Sequence, residues 1–201
     1  FENNALSGRF IVNIGGGAVD VSVVTMGSLS VSKSVKVGGK SIDEAIQRYL
    51  RRERDILIGP QTAERLKICL GSAVPRREEI AVMANGKSGL DHMPITFEVT
   101  STELYGCIRE RLDVMVRGIK SVLEITPPEL VGDISENGIV LTGGTALLYG
   151  MKRFLESETG IEVFLADDPI YSCVSGAATI VRDMDFLTEN GYSFKTVQQL
   201  S

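Results

Sequence analysis

The sequence is poor in several residues that build reactive sites. It has one histidine, His92, and three cysteines, Cys69, Cys107 and Cys173, which lie far apart and form no CxxC pair. A multi-histidine metal centre is excluded. The odd, dispersed cysteines argue against a disulfide framework and a zinc site, and predict free buried thiols. His92 stands in a loop-like stretch before Pro94, a poor setting for the base of a serine triad. No apolar run approaches the roughly 20 residues that span a bilayer, and residues 1–8 lack the charged-then-apolar pattern of a signal peptide. Positive charge is scarce as well: 21 Lys and Arg against 26 Asp and Glu leave a net charge of −5, which supplies no field for attracting nucleic acid. These absences predict a cytosolic protein with no nucleic-acid partner.

What remains is ordinary soluble composition. The 201 residues, 43% hydrophobic and 23% charged, fit one domain or two small lobes sharing a core, and folded chains of this size bury roughly 70% of their unfolded surface. Glycine is the abundant residue, 21 in all, several in pairs or a triplet, and the chain opens on Phe1.

Residues 9–14, 20–26 and 29–37 are β-rich runs separated by Gly15-Gly16-Gly17 and Gly27-Ser28, which predicts an antiparallel meander. Ser41 is placed to cap a helix carrying Ile42, Ile46, Tyr49 and Leu50 at helical spacing, its far face solvated by Arg48, Arg51, Arg52 and Arg54. A second helix fits 61–70, with Ala63, Leu66, Cys69 and Leu70 as its apolar stripe. Two strands fit 78–85 and 92–99, with the turn in Asn85-Gly86-Lys87-Ser88-Gly89. Thr100 and Glu103 form a capping box before a long helix at 102–124, which Pro127-Pro128 ends. Strand 138–142, helix 145–157, strand 161–165, helix 170–183 and a polar tail complete the chain. A meander followed by β-α-β-α is the plan of an α/β, ribonuclease-H-like half-domain, although periodicity alone leaves doubly wound alternatives open.

Two glycine motifs narrow the chemistry. In NIGGGAVDV (13–21) a triplet lies between two strands, where absent Cβ atoms and access to positive φ let consecutive amides approach an anion. In GIVLTGGTA (138–146) an apolar strand ends in Gly143-Gly144 and a helix follows at once, offering free amides at its N-terminus. Either could be a mere turn; two at strand ends point to a nucleotide.

Long collinear blocks carry a more specific likeness: VSKSVKVGGKSIDEAIQRYLRR (31–52), LIGPQTAERLKICLGSAVP (57–75), KSVLEITPPELVGDISENGIVLTGGTALLYGM (120–151) and ETGIEVFLADDPIYSCVSGAA (158–178). The chain resembles the C-terminal half of the MreB-like bacterial actin homologues, within the actin/Hsp70/sugar-kinase ATPase superfamily. That resemblance implies an actin-like ATPase half-domain, with a core ribonuclease-H-like lobe from 1–39 and 100–201 and a smaller α/β lobe inserted at 40–99. It assigns Gly15, Gly16, Gly17 and Ala18 to the β and γ phosphates of ATP, and Gly143, Gly144 and Thr145 to the adenosine. Glu64 and Lys67, three apart on one helix face, are directed at ribose and base; a surface ion pair is the alternative for them. Gly176-Ala177 matches a connecting motif at an interdomain hinge, and Phe1 to Gly8 the entry to the second half.

The expected cofactor is ATP or ADP with Mg²⁺. The family's phosphate loop opens on Asp, which holds magnesium through water. Here that position is Asn13, Ala18 replaces a Thr, and Asp20 is the surviving carboxylate. Weak or absent hydrolysis is therefore expected, and no catalytic residue is assigned, because the first phosphate loop and the water-activating acid belong to the other half. By resemblance the complete protein self-associates into filaments under the cytoplasmic membrane and works with membrane-anchored morphogenesis and cell-wall synthesis proteins in setting rod shape. Membrane contact comes mainly through the other half. A degenerate nucleotide-binding scaffold, or a chaperone- or kinase-type ATPase, are the competing expectations.

Overall fold

The structure, a computed structural model, describes residues 7–189. The hinge expected at Phe1–Gly8, apart from Ser7 and Gly8, and the polar tail beyond 189 lie outside the described residues. The chain folds as a mixed α/β architecture, as the element order predicted. β1 (Arg9–Ile14), β2 (Val19–Thr25) and β3 (Ser28–Val35) form the meander, and β7 (Ile139–Thr142) and β8 (Val163–Leu165) extend it in the order β3-β2-β1-β7-β8. The first three strands are antiparallel; β7 lies parallel to β1, and β8 parallel to β7. Strict alternation sets the buried face: Phe10, Val12 and Ile14 on β1 and Val19, Val21 and Val23 on β2 are fully buried.

α3 (Ser101–Ile125) packs on β2 and β3 of that sheet, and two helices from the middle of the chain pack against α3. α1 spans Gly39–Arg54 and α2 Pro60–Leu70. In α3, Leu104, Ile108, Leu112, Met115, Ile119 and Val122 are all buried, the stripe that a three-and-four spacing dictates. Thr100 accepts the Glu103 amide and Glu103 reaches back to the Thr100 amide, so the expected capping box is formed. A second sheet, β4 (Ile56–Leu57), β5 (Ala81–Ser88) and β6 (Pro94–Thr100), packs beside these helices, and one apolar cluster runs from Phe10 to Phe97 and Val163.

Several expectations change. Ser41 does not cap α1; it lies inside the helix and donates its hydroxyl to the Gly38 carbonyl at 2.7 Å. Arg54 is not part of a solvated face, because it donates to the Glu98 carbonyl at 2.6 Å and pairs with Glu103. The thiols are free but not buried: Cys69 and Cys173 are exposed and Cys107 half-buried. Asn85 to Ser88 belong to strand β5, and the turn falls after them. Gly86 there accommodates close backbone approach, since a Cβ would lie 2.8 Å from the Leu57 carbonyl oxygen. Pro128 does not merely follow a stop; it is the first residue of α4 (Pro128–Asn137), where its fixed φ suits a helix start. Asp133 and Asn137 of α4 hold Gly8 at the entry to β1.

The helix expected at 145–157 is two pieces. A 3-10 turn at Gly144–Leu147 is followed by a left-handed Gly150 and then by α5 (Met151–Thr159). α6 (Ser172–Arg182) and α7 (Met184–Glu189) come last, and α6 buries none of its residues, Gly176 included. No helix among the described residues is long and apolar enough to cross a membrane.

Candidate functional site

The Gly15-Gly16-Gly17-Ala18 turn closes the β1–β2 hairpin, with the Gly15 amide donating to the Ala18 carbonyl at 2.9 Å. The triplet does not use positive φ, contrary to one reason for expecting glycine there. Nor does packing require glycine at Gly16 or Gly17, since a Cβ there would meet nothing within 4 Å. The turn is tied down from behind. Gly39 and Lys40, the first residues of α1, donate their amides to the carbonyls of Gly15 at 3.0 Å and Gly16 at 2.8 Å. No side chain caps α1, so loop carbonyls do the work of a cap. Gly38 makes this approach feasible, since a Cβ there would lie 2.7 Å from both carbonyl oxygens.

The second glycine pair serves a different need. Gly143 has φ +92°, and a Cβ on it would run into the Ile14 backbone and come within 2.6 Å of Asn13 Oδ1. Its amide donates to Pro169, as does the Thr142 hydroxyl. The 3-10 turn that follows places Thr145, whose hydroxyl donates to the Gly15 carbonyl at 3.0 Å and so joins the two glycine motifs.

These parts surround a cavity of about 420 Å³, whose wall includes Gly16 and Lys40 from the first motif and α1, Gly144 and Thr145 from the second, and Glu64 and Lys67 from α2. Gly15, Gly17, Ala18 and Gly143 stand next to the wall without lining it. Asn13 and Asp20 face each other across β1 and β2 in register, and Asp20 is exposed. No cluster of three or more metal-ligating side chains occurs among the described residues. Neither Asn13 nor Asp20 lines the cavity wall.

Sequence reasoning missed Asp43 and an apolar rim. Lys67 Nζ lies 2.9 Å from Asp43 Oδ1, 3.0 Å from Oδ2 and 3.3 Å from the Gly39 carbonyl. Burial lifts the Asp43 carboxyl above the ordinary carboxylate range, outweighing the Lys67 hydrogen bond and charge, and Glu64 and Glu44 add to the rise. Ile68, Leu147 and Ile170, each more than half exposed, line the same cavity. Asp43 carried no signal of its own, being one acid in the run IDEAI; Ile68 and Leu147 interrupt otherwise regular stripes and were legible as exposed apolar residues.

A family model described as MreB/Mbl protein matches residues 3–189. The chain belongs to the MreB/Mbl family. Curated relatives agree: it is 38% identical over 189 residues to the cell shape-determining protein Mbl of Bacillus subtilis strain 168, covering 93% of this chain and 56% of that one. It is 40% identical over 179 residues to the cell shape-determining protein MreB of Escherichia coli K12, covering 89% and 52%. Among solved structures, MreB5 of Spiroplasma citri bound to ADP superposes with a TM-score of 0.88 at 31% identity, over 94% of this chain and 58% of that one. The MreB/Mbl segment described here thus spans about half the length of the curated relatives it matches.

Proposed function

We propose that this chain supplies one wall of an ATP/ADP site in an MreB-like cytoskeletal protein, which forms filaments at the cytoplasmic membrane and organises cell-wall synthesis and rod cell shape. The observation that carries the nucleotide part is the convergence of the Gly15–Ala18 turn, the Gly144–Thr145 turn and the Glu64–Lys67 face of α2 on one cavity. Its volume lies within the range of small-molecule sites. Support also comes from the ADP bound to MreB5.

In this arrangement the amides of Gly16 and Gly17 meet phosphate oxygens without a Cβ in the way. The Glu64 carboxylate accepts sugar hydroxyls, and Ile68, Leu147 and Ile170 supply an apolar surface to the base. Asn13 and Asp20 would hold magnesium through water, the ion neutralising phosphate charge when bound. The two sheets support a division into a core lobe (1–39 and 100–201) and an inserted lobe (40–99). A cell-shape role is supported by the curated relatives, both named cell shape-determining proteins.

A second reading keeps binding and drops turnover: Asn13 stands where the family pattern has a carboxylate and Ala18 where it has a hydroxyl. The intact protein separates the two. Nucleotide binding by calorimetry with phosphate release above a protein-free blank supports an ATPase. Binding without release supports the scaffold, and Asn13→Asp should then raise hydrolysis. Absence of nucleotide binding would overturn both. ATP-promoted sedimentation tests assembly, and full solubility at high concentration with ATP and magnesium would count against filaments.

A further inference from the structure

Glu64 and Lys67 are three residues apart on α2, a spacing that brings opposite charges together on a helix surface. The structure does not pair them. Lys67 instead reaches across to α1, where it contacts both Asp43 carboxylate oxygens at 2.9 and 3.0 Å and the Gly39 carbonyl at 3.3 Å. Both partners are well covered, the Lys67 side chain 11% exposed and the Asp43 side chain 13%. Glu64 is left exposed at the cavity wall, with no ion pair among the described residues.

Such a choice has a chemical consequence. A carboxylate engaged by an ammonium has its acceptor sites partly occupied, whereas an unpaired one forms charge-assisted hydrogen bonds to hydroxyl donors. Were Asp43 unable to hold it, the Lys67 ammonium would keep one weak backbone acceptor and would find Glu64 one helical turn away.

We propose that Asp43 is a positioning residue for sugar recognition: by holding Lys67 against α1 it keeps the ammonium off Glu64, leaving that carboxylate free for the hydroxyls of a bound nucleotide. This role rests on the nucleotide site proposed above, and it makes Asp43 a determinant of preference for a hydroxylated sugar. Asp43 acts through Lys67 and Glu64 and touches no reacting atom.

The test is a ratio of affinities measured by calorimetry on the intact protein, ADP against 2′,3′-dideoxy-ADP. Wild type should prefer ADP by at least about tenfold, the contribution of a hydrogen bond to a charged group. Asp43→Asn should reduce that preference by about two- to threefold, as the released Lys67 pairs with Glu64. The double variant Asp43→Asn with Lys67→Met, which has no ammonium to release, should show the same preference as Lys67→Met alone, and Glu64→Gln should lower the preference of wild type. Asp43→Asn leaves a covered ammonium poorly paired, so its ratio is read well below its melting midpoint; the double variant gives a second reading free of that charge. A wild-type preference retained in Asp43→Asn, or a preference in the double variant below that of Lys67→Met alone, would overturn the role of Asp43. ADP bound without any sugar preference would overturn it too, while leaving the nucleotide site standing. Failure of wild type to bind ADP would remove the site and the role together.

Discussion

Gly38→Ala probes how the phosphate-loop candidate is held. Gly38 has φ −152° and ψ −161°, an extended conformation that alanine adopts without strain, so any cost is contact alone. The added Cβ would stand 2.7 Å from the carbonyl oxygens of Gly15 and Gly16 and 2.8 Å from the Ala18 nitrogen. Carbon and oxygen do not settle closer than about 3.3 Å, so the loop must retreat by roughly 0.6 Å. The two carbonyls now accept from Gly39 at 3.0 Å and Lys40 at 2.8 Å. The retreat takes both to about 3.4–3.6 Å, outside good hydrogen-bond geometry. Nothing else caps α1. With about 1 kcal/mol for each bond, the loss is about 2 kcal/mol, a urea midpoint lower by about 1 M at an unchanged slope. Gly17→Ala is the control: its Cβ meets nothing within 4 Å, so stability should stay within about 0.5 kcal/mol of wild type. Identical unfolding midpoints for Gly38→Ala and Gly17→Ala would refute the claim that loop carbonyls cap α1.

Gly143→Ala combines a left-handed φ with collision against the Ile14 backbone and should cost about 3 kcal/mol or more in chemical denaturation; a loss under about 1 kcal/mol would mean the turn relaxes freely. Thr100→Ala removes the hydroxyl that accepts the Glu103 amide and should lower stability by about 1 kcal/mol, with Thr100→Ser restoring most of it; equal losses in the two variants would exclude the cap as the cause. Cys107 has its thiol pushed up to about 12, chiefly by burial and then by the Glu103 charge. Only its thiolate reacts, so alkylation at pH 8 followed by peptide mapping should label exposed Cys69 first and leave Cys107 about a thousandfold less reactive. Equal labelling of the two would show that Cys107 is not shielded.

Features set by periodicity were legible in advance, because a repeated spacing reports on one element at a time. The six-residue stripe of α3, its Thr100–Glu103 box and the three-strand meander needed only local rules. What escaped depended on distant partners. Asn85-Gly86 has the composition of a turn, yet β4 pairs alongside and turns Gly86 into a point of close backbone contact. Pro127-Pro128 reads as a stop from one side and as a helix start from the other; only the contacts of Asp133 and Asn137 with Gly8 show what α4 is for. Within the site, Gly16, Glu64, Lys67, Gly144 and Thr145 do share one cavity. The choice of Asp43 over Glu64 as partner of Lys67 could not be read, since the helical rule favours the local pair and the observed one spans two helices.

The Gly15 carbonyl is the point where these strands of evidence meet physically. It accepts the Gly39 amide from α1 and the Thr145 hydroxyl from the turn after β7, both at 3.0 Å. Thr145 was expected to face adenosine, and Gly15 phosphate; one oxygen joins them. Lys67 adds a second tie, from α2 to Asp43 and Gly39 at the same end of α1. The Gly143–Thr145 turn is therefore tied to the Gly15 loop, and that loop and α2 are each anchored on the first turn of α1. Gly38 and Gly39 leave no Cβ at this junction, and the Gly15, Gly16 and Thr145 oxygens stand where one would project. A ligand held at either end of the cavity would pull on the same few bonds, so its sugar and phosphate contacts would be energetically coupled through the protein even without touching each other.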